Sequence, residues 1–233
     1  MTTDSFSIAE NLRLVRQRMA RACAEAGRDP QHVTLLAVSK TCPADAVRAA
    51  AAAGQRAFGE NYVQEALAKI EALADLRAGI SWHLIGPLQS NKTRVVAEAF
   101  DWVHSVDRLK IAERLSDQRP AYLPPLNVCL QVNVSGEASK SGLGFDELPA
   151  LARAVAGLPR LRLRGLMSIP EPAQGAQAQR APHRRLREAF DALRAGGLAL
   201  DTLSMGMSAD LEAAVLEGAT LVRVGTAIFG ARA

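Results

Sequence analysis

Lys40 closes an apolar run, Val33-Thr34-Leu35-Leu36-Ala37-Val38-Ser39-Lys40, and Thr41-Cys42-Pro43 turns the chain at once toward an alanine-rich stretch. A primary amine therefore sits at the C-terminal end of a buried strand. Lysine is scarce: Lys40, Lys69, Lys92, Lys110 and Lys140 are the five in the chain, and arginine carries most of the basic charge. An ammonium removed from water has a lowered pKa and becomes a nucleophile toward carbonyls. The segment alone leaves two readings open, a Schiff-base lysine or a strand-end lysine reaching into solvent.

A second kind of chemistry gathers near the C-terminus. Ser204-Met205-Gly206-Met207-Ser208 follows one short strand, and Gly225-Thr226 follows the last and opens Ala227-Ile228-Phe229, a candidate short helix. Glycine lets backbone approach a phosphate, and the N–H groups of a helix start, with a threonine hydroxyl, bind a dianion. Taken singly, Gly206 and Gly225 also suit turns, and Ser208 also suits a helix cap. An amine facing a phosphate site calls for a phosphorylated aldehyde. Pyridoxal 5'-phosphate (PLP) fits, because its aldehyde forms an imine with lysine while its phosphate anchors the far end. Arg223 shares a strand face with Gly225 by alternation. It either lies against the pyridine nitrogen, where a permanent cation disfavours protonation, or pairs with a neighbouring carboxylate.

These residues need elements to position them. Apolar, β-rich runs fall at 33–39, 57–59, 81–85, 102–104, 126–132, 163–168, 202–204 and 221–224. Helical stretches at 44–53, 62–76, 90–99, 108–116, 145–156, 180–194 and 209–217 alternate with them. Pro43 suits a first helical turn, and Ser90, Asp107 and Ser208 suit caps. Such alternation demands parallel strands covered by helices, and eight units in 233 residues predict a (β/α)8 TIM-type barrel. An open doubly wound sheet is the alternative, weakened because no glycine fingerprint follows the first strand. One domain spans 1–233, with a helix within 1–30 packed on the barrel. The stretch 170–177 reads as a loop after the sixth strand. In a barrel, chemistry sits at the C-terminal strand ends. There the sequence places Lys40, Glu60-Asn61, His83, His104-Ser105, Asn133, Ser168, Ser204 to Ser208 and Arg223 to Thr226.

Bulk properties exclude several classes. With a net charge of +4 and 4% aromatics, basic residues are too scattered among acids for a nucleic-acid stripe. Cys23, Cys42 and Cys129 are odd in number and lack CxxC spacing, which argues against a disulfide framework or a zinc site and fits a reducing cytoplasm. No apolar run approaches the ~20 residues of a membrane span.

The segments LLAVSKTCPADAV, FGENYVQEA, WHLIGPLQSNK, VNVSGEASKSGLGF, GLMSIP and LSMGMSADLEAAVLEGATLVRVGTAIFGAR resemble the pyridoxal phosphate homeostasis protein family, also called the proline synthetase co-transcribed homologue group. The likeness spans nearly the whole chain. It implies a fold similar to the N-terminal barrel of alanine racemase, with PLP bound through Lys40. It carries phosphate contacts onto Ser204, Gly225 and Thr226, with Met205 and Ser208 beside them. It makes Arg223 the ring-nitrogen partner and Asn61, His83 and Ser168 pocket positions. The stretch 174–179 departs from the family's motifs. The implied role is vitamin B6 and amino-acid homeostasis without established turnover. Apo PLP-dependent enzymes are the expected recipients, and the chain is expected to be a cytoplasmic monomer.

The rival class is a racemase-like PLP enzyme, which needs an acid–base group on each face of the imine. Alanine racemase takes its second base, a tyrosine, from another domain, and this chain ends soon after its eighth strand. Of its two tyrosines, Tyr62 and Tyr122, Tyr62 follows Asn61 and is expected to pack. His83 reads either as an acid–base group or as hydrogen-bonded structure. Lys140, in a polar glycine-flanked loop, is a second candidate amine for cofactor transfer.

Overall fold

Eight of the apolar runs form strands because each can be buried on both faces, as a parallel sheet requires. The computed structural model describes residues 3–135 and 141–230. The strands are β1 (Thr34–Val38), β2 (Ala57–Glu60), β3 (Ser81–Leu84), β4 (Trp102–Val106), β5 (Leu126–Gln131), β6 (Leu161–Met167), β7 (Thr202–Ser204) and β8 (Leu221–Val224). They pair in parallel in chain order, and β8 closes on β1 with Thr34 opposite Leu221 and Ala37 opposite Val224. The result is the expected closed TIM-type barrel. Closure puts the turn after Lys40 beside the turn at Gly225, so the two candidate functional segments are neighbours.

The helices are α1 (Thr3–Glu25), α2 (Ala44–Ala52), α3 (Val63–Ala72), α4 (Thr93–Ala99), α5 (Leu109–Gln118), α6 (Leu148–Ala156), α7 (Ala176–Ala195), α8 (Leu211–Leu216) and α9 (Thr226–Phe229). Side chains alternate across each strand, which divides the core in two. Leu36, Ala57, Ile85 and Leu221 pack inside the barrel. A larger layer between the strands and helices includes Ala37, Phe58, Trp82, Leu84, Leu115, Leu126 and Leu203.

Helix α1 buries Ile8, Leu12, Val15 and Met19, the helical-period stripe of its sequence. Its polar residues reach the candidate site. Asn11 donates to the Ile228 carbonyl in α9 at 3.0 Å. Arg18 donates to the Ser208 carbonyl at 3.2 Å and pairs with Glu212 at 2.8 Å.

One boundary departs clearly from expectation. Helix α7 starts at Ala176, so the loop after β6 is shorter than its composition suggests and the helix runs through Pro182. The alanines and glutamines there are good helix formers, and a proline in the second turn removes one hydrogen bond without ending the helix.

Candidate functional site

At the C-terminal ends of the strands lies a cavity of about 340 Å³, within the range of small-molecule sites. Its polar lining is Lys40, Asn61, Ser208, Arg223 and Thr226; Val38, Ile85, Ile169 and Met207 supply apolar walls.

Lys40 is half-buried and is followed by Thr41 at φ 63°, a left-handed conformation costly for a threonine. A buried ion cluster holds this turn. The Lys69 ammonium donates to the Ser39 carbonyl at 2.6 Å, to Glu60 Oε1 at 2.8 Å and to Glu65 Oε1 at 2.6 Å. Glu65 in turn accepts the Thr41 N–H, and Ser39 Oγ donates to Glu60 at 2.6 Å. The backbone is thus fixed on both sides of Lys40. Burial pushes the Glu60 carboxyl up from the ordinary range, against the lowering pull of the Lys69 and Ser39 hydrogen bonds.

Arg223 forms the floor and is 3% exposed. It donates through Nη1 to the Ser204 carbonyl at 2.6 Å and Ser204 Oγ at 2.9 Å, and through Nη2 to the Ser168 carbonyl at 2.7 Å. Among the described residues no carboxylate forms a salt bridge with it, so the ion-pair reading is not the arrangement found. Burial lowers its pKa to about 10, offset in part by the Asp210 charge, and it remains a cation near neutral pH. Asp210 is anchored by the Met207 N–H at 2.7 Å and by His183 Nε2 at 2.9 Å. Burial works to raise its carboxyl, but these hydrogen bonds hold it below the usual range.

The opposite wall is built for backbone approach. Gly206 has φ 89°, and a Cβ there would lie 2.4 Å from the Ala214 Cβ. That lets the chain after β7 fold tightly over the strand ends. Gly225 precedes α9; its carbonyl takes the Ile228 and Phe229 N–H groups at 2.8 and 3.0 Å, which leaves the N–H groups of Thr226 and Ala227 as the free donors of the helix start.

The other expected residues divide. Asn61 lines the cavity with its Oδ1 buried and unpartnered; Ser168 is fully buried and does not line it, but its carbonyl holds Arg223 and its Oγ is without a partner. Ser208, Gly225 and Thr226 line the cavity. Ser204 and His83 do not line it; both lie within the barrel, Ser204 directly against Arg223. Met205 packs in the outer core. Tyr62, expected to pack, is 57% exposed. Lys140 lies outside the described residues.

Sequence reasoning gives Glu60 a strand-end position but no role, and it does not single out Glu65 or Lys69 as part of a site. The i, i+4 spacing of Glu65 and Lys69 signals a surface helix pair, but nothing local shows that Glu60 lies behind them. His104 was noted at a strand end and given no role. Its position one strand after His83, on the same inward face, was the available signal. Among the described residues no cluster of histidine, cysteine and carboxylate side chains suits a metal ion, and no helix is long and apolar enough to cross a membrane.

Known proteins resemble this chain over nearly its whole length. The alanine racemase N-terminal domain family matches residues 4–233. A Pseudomonas aeruginosa protein named pyridoxal phosphate homeostasis protein is 67% identical over 226 residues, covering 97% of this chain and 96% of that protein. The Escherichia coli protein of the same name is 58% identical, covering 97% of each. The structure of PipY from Synechococcus elongatus with PLP bound superposes with a TM-score of 0.83 at 43% identity, covering 96% of this chain and 100% of that one.

Proposed function

This chain belongs to the pyridoxal phosphate homeostasis protein family, built on the alanine racemase N-terminal barrel, and from that premise we propose that it is a PLP-binding protein of vitamin B6 and amino-acid homeostasis. Lys40 supplies the amine that joins the cofactor's aldehyde carbon. Gly225, Thr226 and Ser208 hold the phosphate, and Arg223 faces the ring nitrogen. The orphaned Asn61 Oδ1 takes a polar substituent of the ring, and Ser168, behind the lining, holds Arg223 through its carbonyl. Ser204 and His83 support this floor from beneath, and Met205 packs behind its strand in the outer core.

The carrying observation is that one cavity combines Lys40, the Arg223 guanidinium and the glycine-opened start of α9 between apolar walls. That donor set fits PLP: an amine for a carbonyl, backbone and hydroxyl donors for a dianion, and aliphatic faces for an aromatic ring. Bound, PLP supplies an electron-withdrawing ring able to stabilise negative charge at a carbon attached to its imine. Arg223 works against that use, because a buried cation at the ring nitrogen keeps the nitrogen unprotonated. The site therefore favours holding and releasing the cofactor over turning amino acids over. Apo PLP-dependent enzymes are the recipients, and the protein acts as a cytoplasmic monomer.

Absorbance tests the reading. Purified protein with PLP is expected to show a yellow band absent from Lys40→Ala. An unchanged spectrum in the variant would overturn it. Incubation with amino acids in deuterated water separates carrier from racemase: slow or no exchange at the α-carbon is expected, and rapid exchange with turnover would establish the enzyme.

A further inference from the structure

Beneath the cavity, polar side chains run down the barrel axis where aliphatic packing would be the usual filling. Arg223 Nη1 contacts Ser204 Oγ at 2.9 Å. Ser204 Oγ lies 2.8 Å from His104 Nδ1, His104 Nε2 lies 2.9 Å from His83 Nδ1, and His83 Nε2 lies 3.0 Å from Ser81 Oγ. Ser81 Oγ ends the column, 3.5 Å from the Arg56 carbonyl. It borders a second cavity of about 400 Å³ at the N-terminal mouth of the barrel. Ser204 and His104 are fully buried and His83 is 2% exposed.

The direction of every bond follows from the first. A guanidinium only donates, so Ser204 Oγ accepts from Arg223. The Ser204 hydroxyl hydrogen then has one other neighbour, His104 Nδ1, which must accept it. His104 carries its hydrogen on Nε2 and donates to His83 Nδ1. His83 likewise carries its hydrogen on Nε2 and donates to Ser81. The reverse order leaves the Ser204 hydroxyl, buried, with no acceptor among the described residues, which native interiors avoid. Protonating either ring would replace one of these acceptors with a donor. Burial holds both rings neutral, pushing His83 down to about 3 and His104 well below its ordinary value, the latter helped by the repulsion that a protonated His104 would meet from His83, were that ring charged too, and from Arg223. Trp102 stacks on His83 at 5.2 Å and 7°, and Arg164 covers Trp102 at 4.7 Å, so the lower ring is wedged in place.

We propose that His104 and His83 are positioning residues for Arg223, forming a one-way hydrogen-bond column that keeps Ser204 Oγ an acceptor and so fixes the guanidinium at the cavity floor. Only its consequence for PLP rests on the function read above: with the column intact, Arg223 presents a fixed cation to the ring nitrogen.

Two readouts test it. In the PLP-free chain labelled with ¹⁵N-histidine, imidazole nitrogen shifts report the tautomer of each of the four histidines. His83 and His104 are expected to carry the hydrogen on Nε2. An Nδ1–H tautomer at either, or an imidazolium at neutral pH, overturns the column. In the loaded protein, His104→Leu is expected to shift the cofactor's absorbance band and speed PLP release about tenfold. His104→Asn, whose amide oxygen can take the place of Nδ1, restores both. A folded His104→Leu with unchanged band and release, or an Asn variant no better than Leu, also overturns the proposal. If His104→Leu does not fold, the tautomers and the Asn variant decide. Failure of the unaltered chain to bind PLP would sink the functional reading instead, and the tautomers would still judge the column.

Discussion

The Lys69 ammonium sits 2.6 Å from the carbonyl oxygen of Ser39, the residue before the cavity lysine. Glu65, bound to the same ammonium, takes the N–H of Thr41, the residue after it. A helix residue thus clamps the backbone on both sides of Lys40 without touching the cavity. The left-handed Thr41 persists because this cluster overdetermines it.

Lys69→Met is therefore expected to destabilise strongly. It leaves Glu60, fully buried, without its cation, and breaking such a pair costs about 3–5 kcal/mol. Urea unfolding measures the loss. The double variant Lys69→Met with Glu60→Gln should recover part of it, because the uncompensated charge is then gone.

Gly86 places the next constraint. A Cβ there would lie 2.2 Å from the Asn61 carbonyl oxygen. Gly86→Ala must displace the Asn61 backbone from its place in the cavity wall, at about 1–3 kcal/mol of strain. The expected result is weaker PLP retention, read by equilibrium dialysis, with a smaller effect on melting temperature than Lys69→Met.

The neutral histidine pair makes stability depend on pH. Folding lowers the His83 pKa from 6.5 to about 3 and lowers that of His104 in the same direction. Below about pH 6.5 the unfolded chain binds these protons and the folded chain does not. Stability is thus full above that pH and is lost as the pH falls toward 3, by up to about 1.4 kcal/mol per unit for each ring. The charged or titratable groups around the pair are Arg223, beside His104, and Arg164, Asp201 and His32, which share the lower cavity with His83. Glu60, raised by burial, acts in the opposite sense and is unaffected by changes at His83. Urea midpoints between pH 5 and 7 should fall less steeply for His83→Gln than for the unaltered chain. Equal slopes would contradict neutral burial.

The sequence discloses the barrel because each βα unit carries its own signal: an apolar run, a glycine or proline at its edge, then a helical stripe. Lys40, Arg223 and Gly225 are legible for the same reason, since strand alternation and strand ends fix where they point. Ser204 is legible only in part. Its strand-end position suggests a cavity face, but its partners, His104 and Arg223, come from strands 100 and 19 residues away. The Glu60–Lys69 pair fails similarly, because its meaning lies in the packing of α3 against the outside of β2. Composition misleads at 176–179, where a plain glutamine–alanine stretch reads as loop and forms the first turn of α7.

The central claim is that Lys40 holds the cofactor covalently. Borohydride reduction of the PLP-loaded chain, followed by peptide mass mapping, tests it most directly. A pyridoxyl label on the peptide containing Lys40, and its loss in Lys40→Ala, is the expected result. A label confined to other lysines, or none on a protein that retains PLP, would contradict it.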